Sequence, residues 1–194
     1  LKSEARMWKV VKTELKELGD QFPERRRTEI GTSDEIREFD PQAYIVRENT
    51  NVVITNDGWV KRVGKLASVE GTRVREGDAV LNVVPGSTLD TVIFLSSTGV
   101  AYTMTMADIP ASSGYGDPIS KYVKLGDGEK IIGMISTDIR FTHEDTPKND
   151  TMPEPYFMIV TAQGQFSAIS LSPYRLPSTK AGRIFSRLRK GDQV

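Results

Sequence analysis

The residues of this chain whose grouping points to chemistry are its lysines and arginines. Over 194 residues they balance, 26 Lys and Arg against 26 Asp and Glu. The balance fails at one end: residues 156–194 hold Arg175, Lys180, Arg183, Arg187, Arg189 and Lys190 against Asp192 alone. A second group, Lys61, Arg62, Lys65, Arg73 and Arg75, crowds an earlier stretch. Between the two, Lys121 and Lys124 stand among Asp117, Asp127 and Glu129. Any one of these is a solvated charge by default. A one-signed cluster inside a neutral chain is a better sign of a polyanionic partner than the overall charge is.

Other chemistries find little to stand on. There is no cysteine, so thiolate metal sites and disulfides are excluded. The single histidine lies in His143-Glu144-Asp145, where a solvated loop is a better reading than a weak metal site. No Gly-x-x-x-x-Gly-Lys-Ser/Thr phosphate loop occurs. No paired acid and base, and no nucleophile with its base, stands out for a hydrolase. The apolar runs are strand-sized, short of the roughly 20 residues a membrane helix needs. The chain opens without Met and without a basic-then-apolar leader, and it reads as a fragment of something longer.

The elements that must position the cations come as repeats. Val52 to Gly58, Val-Val-Ile-Thr-Asn-Asp-Gly, followed by Trp59 to Val63, is a strong hairpin signal, because glycine takes the positive φ of a tight turn. The pattern returns at Val92–Tyr102 around Gly99 and at Tyr156–Phe166 around Gly164. Gly77-Asp78, Gly126-Asp127 and Gly191-Asp192 are the landmarks that follow. Gly126 lies 27 residues after Gly99, Gly191 lies 27 after Gly164, and Gly77 only 19 after Gly58. Four short strands at a spacing near forty residues predict an all-β, propeller-like array of four-stranded blades, about three with the last incomplete. An irregular sandwich is the alternative. The repeats fall near 52–86, 92–136 and 156–194, within a domain over 44–194, and 137–155, rich in Asp, Pro and Thr, reads as a surface insertion. Ahead of them, Leu1, Ala5, Trp8, Val11, Leu15 and Leu18 predict one amphipathic helix over 1–22 with a coiled-coil-like seam, ended by Gly19 and Pro23. Such a seam needs a partner. Residues 23–43 read as a connector, with a strand near Thr28-Glu29-Ile30.

Several stretches then resemble one family in order: Glu24-Arg25-Arg26-Arg27-Thr28-Glu29-Ile30 after the helix, Asn56-Asp57-Gly58-Trp59-Val60-Lys61-Arg62, Ser97-Thr98-Gly99-Val100-Ala101-Tyr102, Gly114-Tyr115-Gly116-Asp117-Pro118-Ile119 and Ser178-Thr179-Lys180-Ala181-Gly182-Arg183. The chain resembles the A subunit of bacterial type IIA topoisomerases, topoisomerase IV or gyrase. The resemblance implies that the helix ends the coiled coil and that the repeats are blades of the C-terminal β-pinwheel, whose neighbours exchange strands. It also implies a parent that passes one DNA duplex through another, using a tyrosine nucleophile upstream and Mg2+ and ATP through other domains or subunits, with no cofactor in this stretch. Partners would be double-stranded DNA and, through the parent, a second A subunit together with a B subunit. The place implied is the cytoplasm, at the nucleoid and not in a membrane. The first-blade connection, Arg62 to Gly77, lacks the Gln-Arg-Arg-Gly-Gly-type box of gyrase, which favours topoisomerase IV. In a propeller-type array, equivalent positions share a rim, so cations of several blades would line one track. Such a track binds and bends a duplex without reading its bases. A protein-interaction scaffold working through the helix seam is the alternative.

Overall fold

The computed structural model describes residues 3–23, 44–66, 68–148 and 151–194, with the backbone alone for 146–148 and 151–154. The Glu24–Ile30 run and the connector beyond Pro23 lie outside the described residues. The chain divides into two units, Leu1–Asp40 and Pro41–Val194. In the first, helix α1 spans Glu4–Gln21. Its apolar seam is uncovered, with Trp8, Leu15 and Leu18 at 53%, 62% and 51% exposure. The helix runs through Gly19 instead of stopping there, and Phe22 N–H closes it on the Leu18 carbonyl just before Pro23, which lacks the donor to continue.

The second unit is built from β1 (Asn49–Thr55), β2 (Trp59–Val63) and β3 (Val80–Ser87), then β4 (Thr91–Ser96), β5 (Val100–Thr105), β6 (Asp117–Pro118) and β7 (Ile131–Ser136). A short pair of strands, β8 (Thr146–Lys148) and β9 (Thr151–Glu154), follows, and β10 (Tyr156–Val160), β11 (Phe166–Ser170) and β12 (Arg183–Ile184) are the last strands. The same turn closes all three central hairpins. Gly58, Gly99 and Gly164 sit at φ of 78°, 82° and 77°, their amides bonded to the carbonyls of Thr55, Ser96 and Thr161. The hydroxyls of those three residues accept the amides of Trp59, Val100 and Gln165 at 3.1, 3.1 and 3.2 Å. A short hydroxyl at the first position thus satisfies a donor that the turn leaves over.

A second turn latches each hairpin, and it corrects one landmark. Asp78, Glu129 and Asp192 close on the carbonyls of Arg75, Gly126 and Arg189 at 3.1, 3.2 and 3.0 Å, each following a positive-φ glycine, Gly77, Gly128 or Gly191. The second member is therefore Gly128-Glu129, two residues beyond the expected Gly126-Asp127. Asp78 Oδ1 accepts the amide of Asp57 at 3.2 Å and Asp192 Oδ1 that of Gln163 at 3.0 Å. Glu129, one methylene longer, instead takes the hydroxyl of Thr98 at 2.8 Å. Spacing alone paired the wrong glycine, because the dipeptide Gly-Asp occurs without the backbone conformation that the latch needs.

Each complete blade has four strands, of which it makes three. The first sheet runs β3-β1-β2-β6 and the second β12-β5-β4-β7. Val60 pairs with Asp117 of the second repeat, and Ala101 with Arg183 of the third. The strap that carries β6 starts from a 3-10 turn at Met106–Asp108 and the one that carries β12 from its equivalent at Ser172–Tyr174. Arg62 and Ser112 are joined by a backbone bond along the first strap; Thr103 and Ser178 are joined along the second, with the Ser178 hydroxyl standing in for one carbonyl. Between the sheets, Val52, Ile54 and Val60 pack on Val92, Phe94 and Tyr102. The other face of the second sheet, Ile93 and Ala101, packs with Phe157, Ile159 and Phe185, where Phe157 and Phe185 meet edge to face at 5.7 Å. This is an open stack of exchanged sheets, the β-pinwheel arrangement.

Candidate nucleic-acid interface

The latch turns position the cations. Two residues ahead of each turn stands Arg73, Lys124 or Arg187, all exposed. In the first two blades the backbone there is held from inside. Lys61 Nζ donates to the Arg73 carbonyl at 2.6 Å, and Tyr102 Oη, three residues past its hairpin glycine as Lys61 is, donates to the Lys124 carbonyl at 3.1 Å. Held main chain with a free side chain puts a cation at the same place in successive blades. Arg75 and Arg189, which begin their turns, are exposed as well. The guanidinium of Arg75 lies 3.7 Å from the Trp59 ring centre and that of Arg73 5.0 Å from Tyr115, within the reach of cation–π attraction. With the Gln165 amide turned oxygen-first, that oxygen accepts from Arg189 Nε at 2.9 Å.

The remaining sequence candidates divide by what already holds them. Lys65, Lys180 and Lys190 are exposed, and the Lys180 carbonyl takes the Lys124 amide at 2.7 Å, so two cations of different repeats stand side by side. Lys61 is buried at 2% exposure. Its ammonium bridges the carbonyls of Arg73 and Gly114, and burial, then the charge of Arg73, pulls its pKa down. Arg62 Nε clasps the Ile109 carbonyl of the first strap at 3.2 Å. Arg183 ties the second strap through the carbonyls of Leu176 and Pro177. Arg175 pairs with Asp145 at 2.8 Å and donates to the carbonyls of Thr137 and His143. Lys121 is paired with Asp117 at 2.7 Å. These five do internal work that residue type alone does not reveal. What was missed is the aromatic support: Trp59 and Tyr115 read as packing or loop until the straps are in place.

No family model matches the chain. It is 26% identical over 196 residues to the A subunit of DNA gyrase from Streptococcus pyogenes, covering 95% of the chain and 22% of that protein. It is 29% identical over 149 residues to the A subunit of DNA topoisomerase 4 from Caulobacter vibrioides, covering 69% and 20%. The C-terminal domain of E. coli ParC superposes with a TM-score of 0.61 at 19% identity, over 75% of the chain and 54% of that domain.

The chain is a homologue of type IIA topoisomerase A subunits.

It spans about a fifth of the length of these relatives, and its fold is that of the family's C-terminal β-pinwheel. Gyrase and topoisomerase IV names both occur among the A subunits it matches. Other candidate chemistry among the described residues is structural. Tyr102, buried, has its pKa pushed up to about 12 by burial and then by the neighbouring Glu129. Tyr122 donates to Asp117 at 2.7 Å. Next to His143, Asp145 serves Arg175. Among the described residues no three metal-binding side chains cluster, and no helix is long and apolar enough to cross a membrane.

Proposed function

We propose that this chain is the duplex-binding module of a topoisomerase A subunit, holding and bending DNA along the cations that its blades present at equivalent positions. The observation that carries the reading is the recurrence of an exposed cation two residues before the latch turn: Arg73, Lys124, Arg187. Charges fixed by backbone turns at equivalent places of successive blades suit phosphates spaced along a duplex, and no base-reading element accompanies them among the described residues. The exposed Lys65, Lys180, Lys190, Arg75 and Arg189 extend the same set. In the whole protein the module would serve a second A subunit together with a B subunit, at the nucleoid, while Mg2+ and ATP are handled elsewhere. The first connection, without the gyrase box, favours a topoisomerase IV-like parent.

The test is anisotropy of a short labelled duplex titrated with the chain across a salt series. Binding should weaken steeply with salt, and the slope of log K against log salt should flatten by roughly 2–3 in Arg73→Gln/Lys124→Gln/Arg187→Gln, at about 0.9 for each phosphate no longer neutralised. No affinity for duplex even at low salt would end the reading. The exposed seam of α1 favours a second reading, a scaffold that associates through the helix. Sedimentation of the chain with and without Leu15→Glu/Leu18→Glu separates it, since a scaffold would lose its partner and stay indifferent to DNA.

A further inference from the structure

The connection after β2 and the strap that crosses from the second blade leave a cleft of about 310 Å3 between them, at the lower end of the ~300–1,000 Å3 range of ligand pockets. Three of its lining side chains are cations, Lys61, Lys65 and Arg73, and none is a carboxylate. The acidic residues of the connection, Glu70 and Glu76, are not among those that line it.

Its other polar side chains are hydroxyls, and their hydrogens are available. Ser68 on one wall already accepts the Glu70 amide at 3.1 Å, and Ser112 on the other accepts the Gly114 amide at 3.0 Å. A hydroxyl whose oxygen is occupied in this way keeps its hydrogen for an acceptor. Thr72 Oγ1 is buried with no partner among the described residues, and buried polar atoms nearly always have one. Lys61 Nζ donates to the carbonyls of Arg73 and Gly114, and an ammonium has three hydrogens. The cleft therefore offers donors and positive charge, and two of its hydroxyl oxygens, those of Ser68 and Ser112, are already in use as acceptors. A cation would be repelled there, and an apolar group would leave the Thr72 hydroxyl orphaned.

We infer that this cleft is a site for one phosphate group, received by Lys65, Arg73 and the exposed Ser113 at the mouth and by the buried hydroxyl of Thr72 within. Two sources share that chemistry, a phosphate of the DNA backbone and a free phosphate or phosphomonoester. Only the first rests on the proposed function. Both walls form the site: Lys61 joins the Gly114 carbonyl of the strap, and the Ser112 amide bonds to the Arg62 carbonyl. A bound phosphate should therefore tighten the strap on the first blade.

The experiment titrates the whole chain with inorganic phosphate and, separately, with a short duplex, at constant ionic strength. Amide NMR shifts and the melting temperature are read for the wild type, Thr72→Val/Ser113→Ala and Lys65→Gln. Phosphate should shift the amides of residues 72 and 112–114 and raise the melting temperature. Each variant should melt like the wild type without phosphate and bind it about tenfold more weakly. Phosphate that neither moves these amides nor stabilises the chain, or variants that bind it as tightly as the wild type, would overturn the inference. Duplex binding that phosphate displaces, and that the variants weaken, identifies the source as DNA. Phosphate binding without any duplex binding upholds the cleft and removes the DNA reading. Duplex binding that ignores both phosphate and variants, with phosphate silent, does the reverse.

Discussion

Glu129 accepts hydrogen bonds from the Gly126 amide, Thr98 and Tyr102 at 2.6, 2.8 and 3.0 Å. Burial pulls its pKa up, but the hydroxyls of Ser96, Thr98 and Tyr102 and the Gly126 amide outweigh that and hold it below the ordinary value. Asp78 and Asp192, its counterparts in the other latches, are depressed in the same way, burial being overcome by the hydroxyls of Thr55 and Thr161 and by backbone amides. A carboxylate whose folded pKa lies below its unfolded value, about 4, stabilises the fold above that pH. The contribution is lost as pH falls through the folded value. Tyr102 has the opposite sign: raised to about 12, it stabilises fully below its unfolded pKa of about 10 and loses this as pH rises through 12. Urea unfolding from about pH 3 to about pH 11 should show an acid limb, a plateau and, above about pH 10, the start of an alkaline fall. Glu129→Gln should lower the plateau by on the order of 1–2 kcal/mol and shallow the acid limb. An acid limb unchanged in the variant would mean the latch carboxylate is not responsible.

At the scale of elements, the straps decide whether blades stay joined, and each crosses at a closely packed glycine of positive φ. Gly116 lies at φ +86°, where an added Cβ would run into the Val60 carbonyl; Gly182, at φ +71°, would meet the Ala101 carbonyl at 2.8 Å. A side chain in this backbone region costs roughly 1–3 kcal/mol before any clash. Gly116→Ala should therefore destabilise the chain by more than about 2 kcal/mol and speed hydrogen exchange at Arg62 and Ser112, whose amides bond across the first strap. Gly64→Ala, with nothing within 4 Å of the added carbon, is the control. If Gly116→Ala unfolds like the control, strap docking does not depend on this approach. The 116–119 stretch reads as a loop in the sequence, since two residues of strand leave no periodicity to detect.

On the scale of the whole β unit, the stack is polar at one end and apolar at the other. The face that Phe94 and Tyr102 present in the second blade is occupied in the first by Val53 and by Lys61, whose charge is satisfied internally. At the third blade the face equivalent to Ile93, Leu95 and Ala101 is Met158, Val160 and Phe166, exposed by 72%, 62% and 76%. An apolar face on a sheet of only two strands, β10 and β11, invites association. Light scattering should show the chain associating as concentration rises, and Met158→Thr/Val160→Thr/Phe166→Ser should suppress it without lowering the melting temperature. Equal scattering from both would place the association elsewhere. Hairpins, helix and repeat number are legible in the residues because they follow from local rules, glycine at positive φ and apolar residues at periods of 2 and 3.6. The grouping of cations is legible for the same reason, as composition. Which cations face solvent was decided only by the exchange of strands. Lys61 and Gly114, 53 residues apart, are joined by a hydrogen bond that no local pattern records. Lys61 and Arg73 are alike in charge; the strap that lies on the first blade holds one inside through the Gly114 carbonyl and leaves the other exposed beside Tyr115.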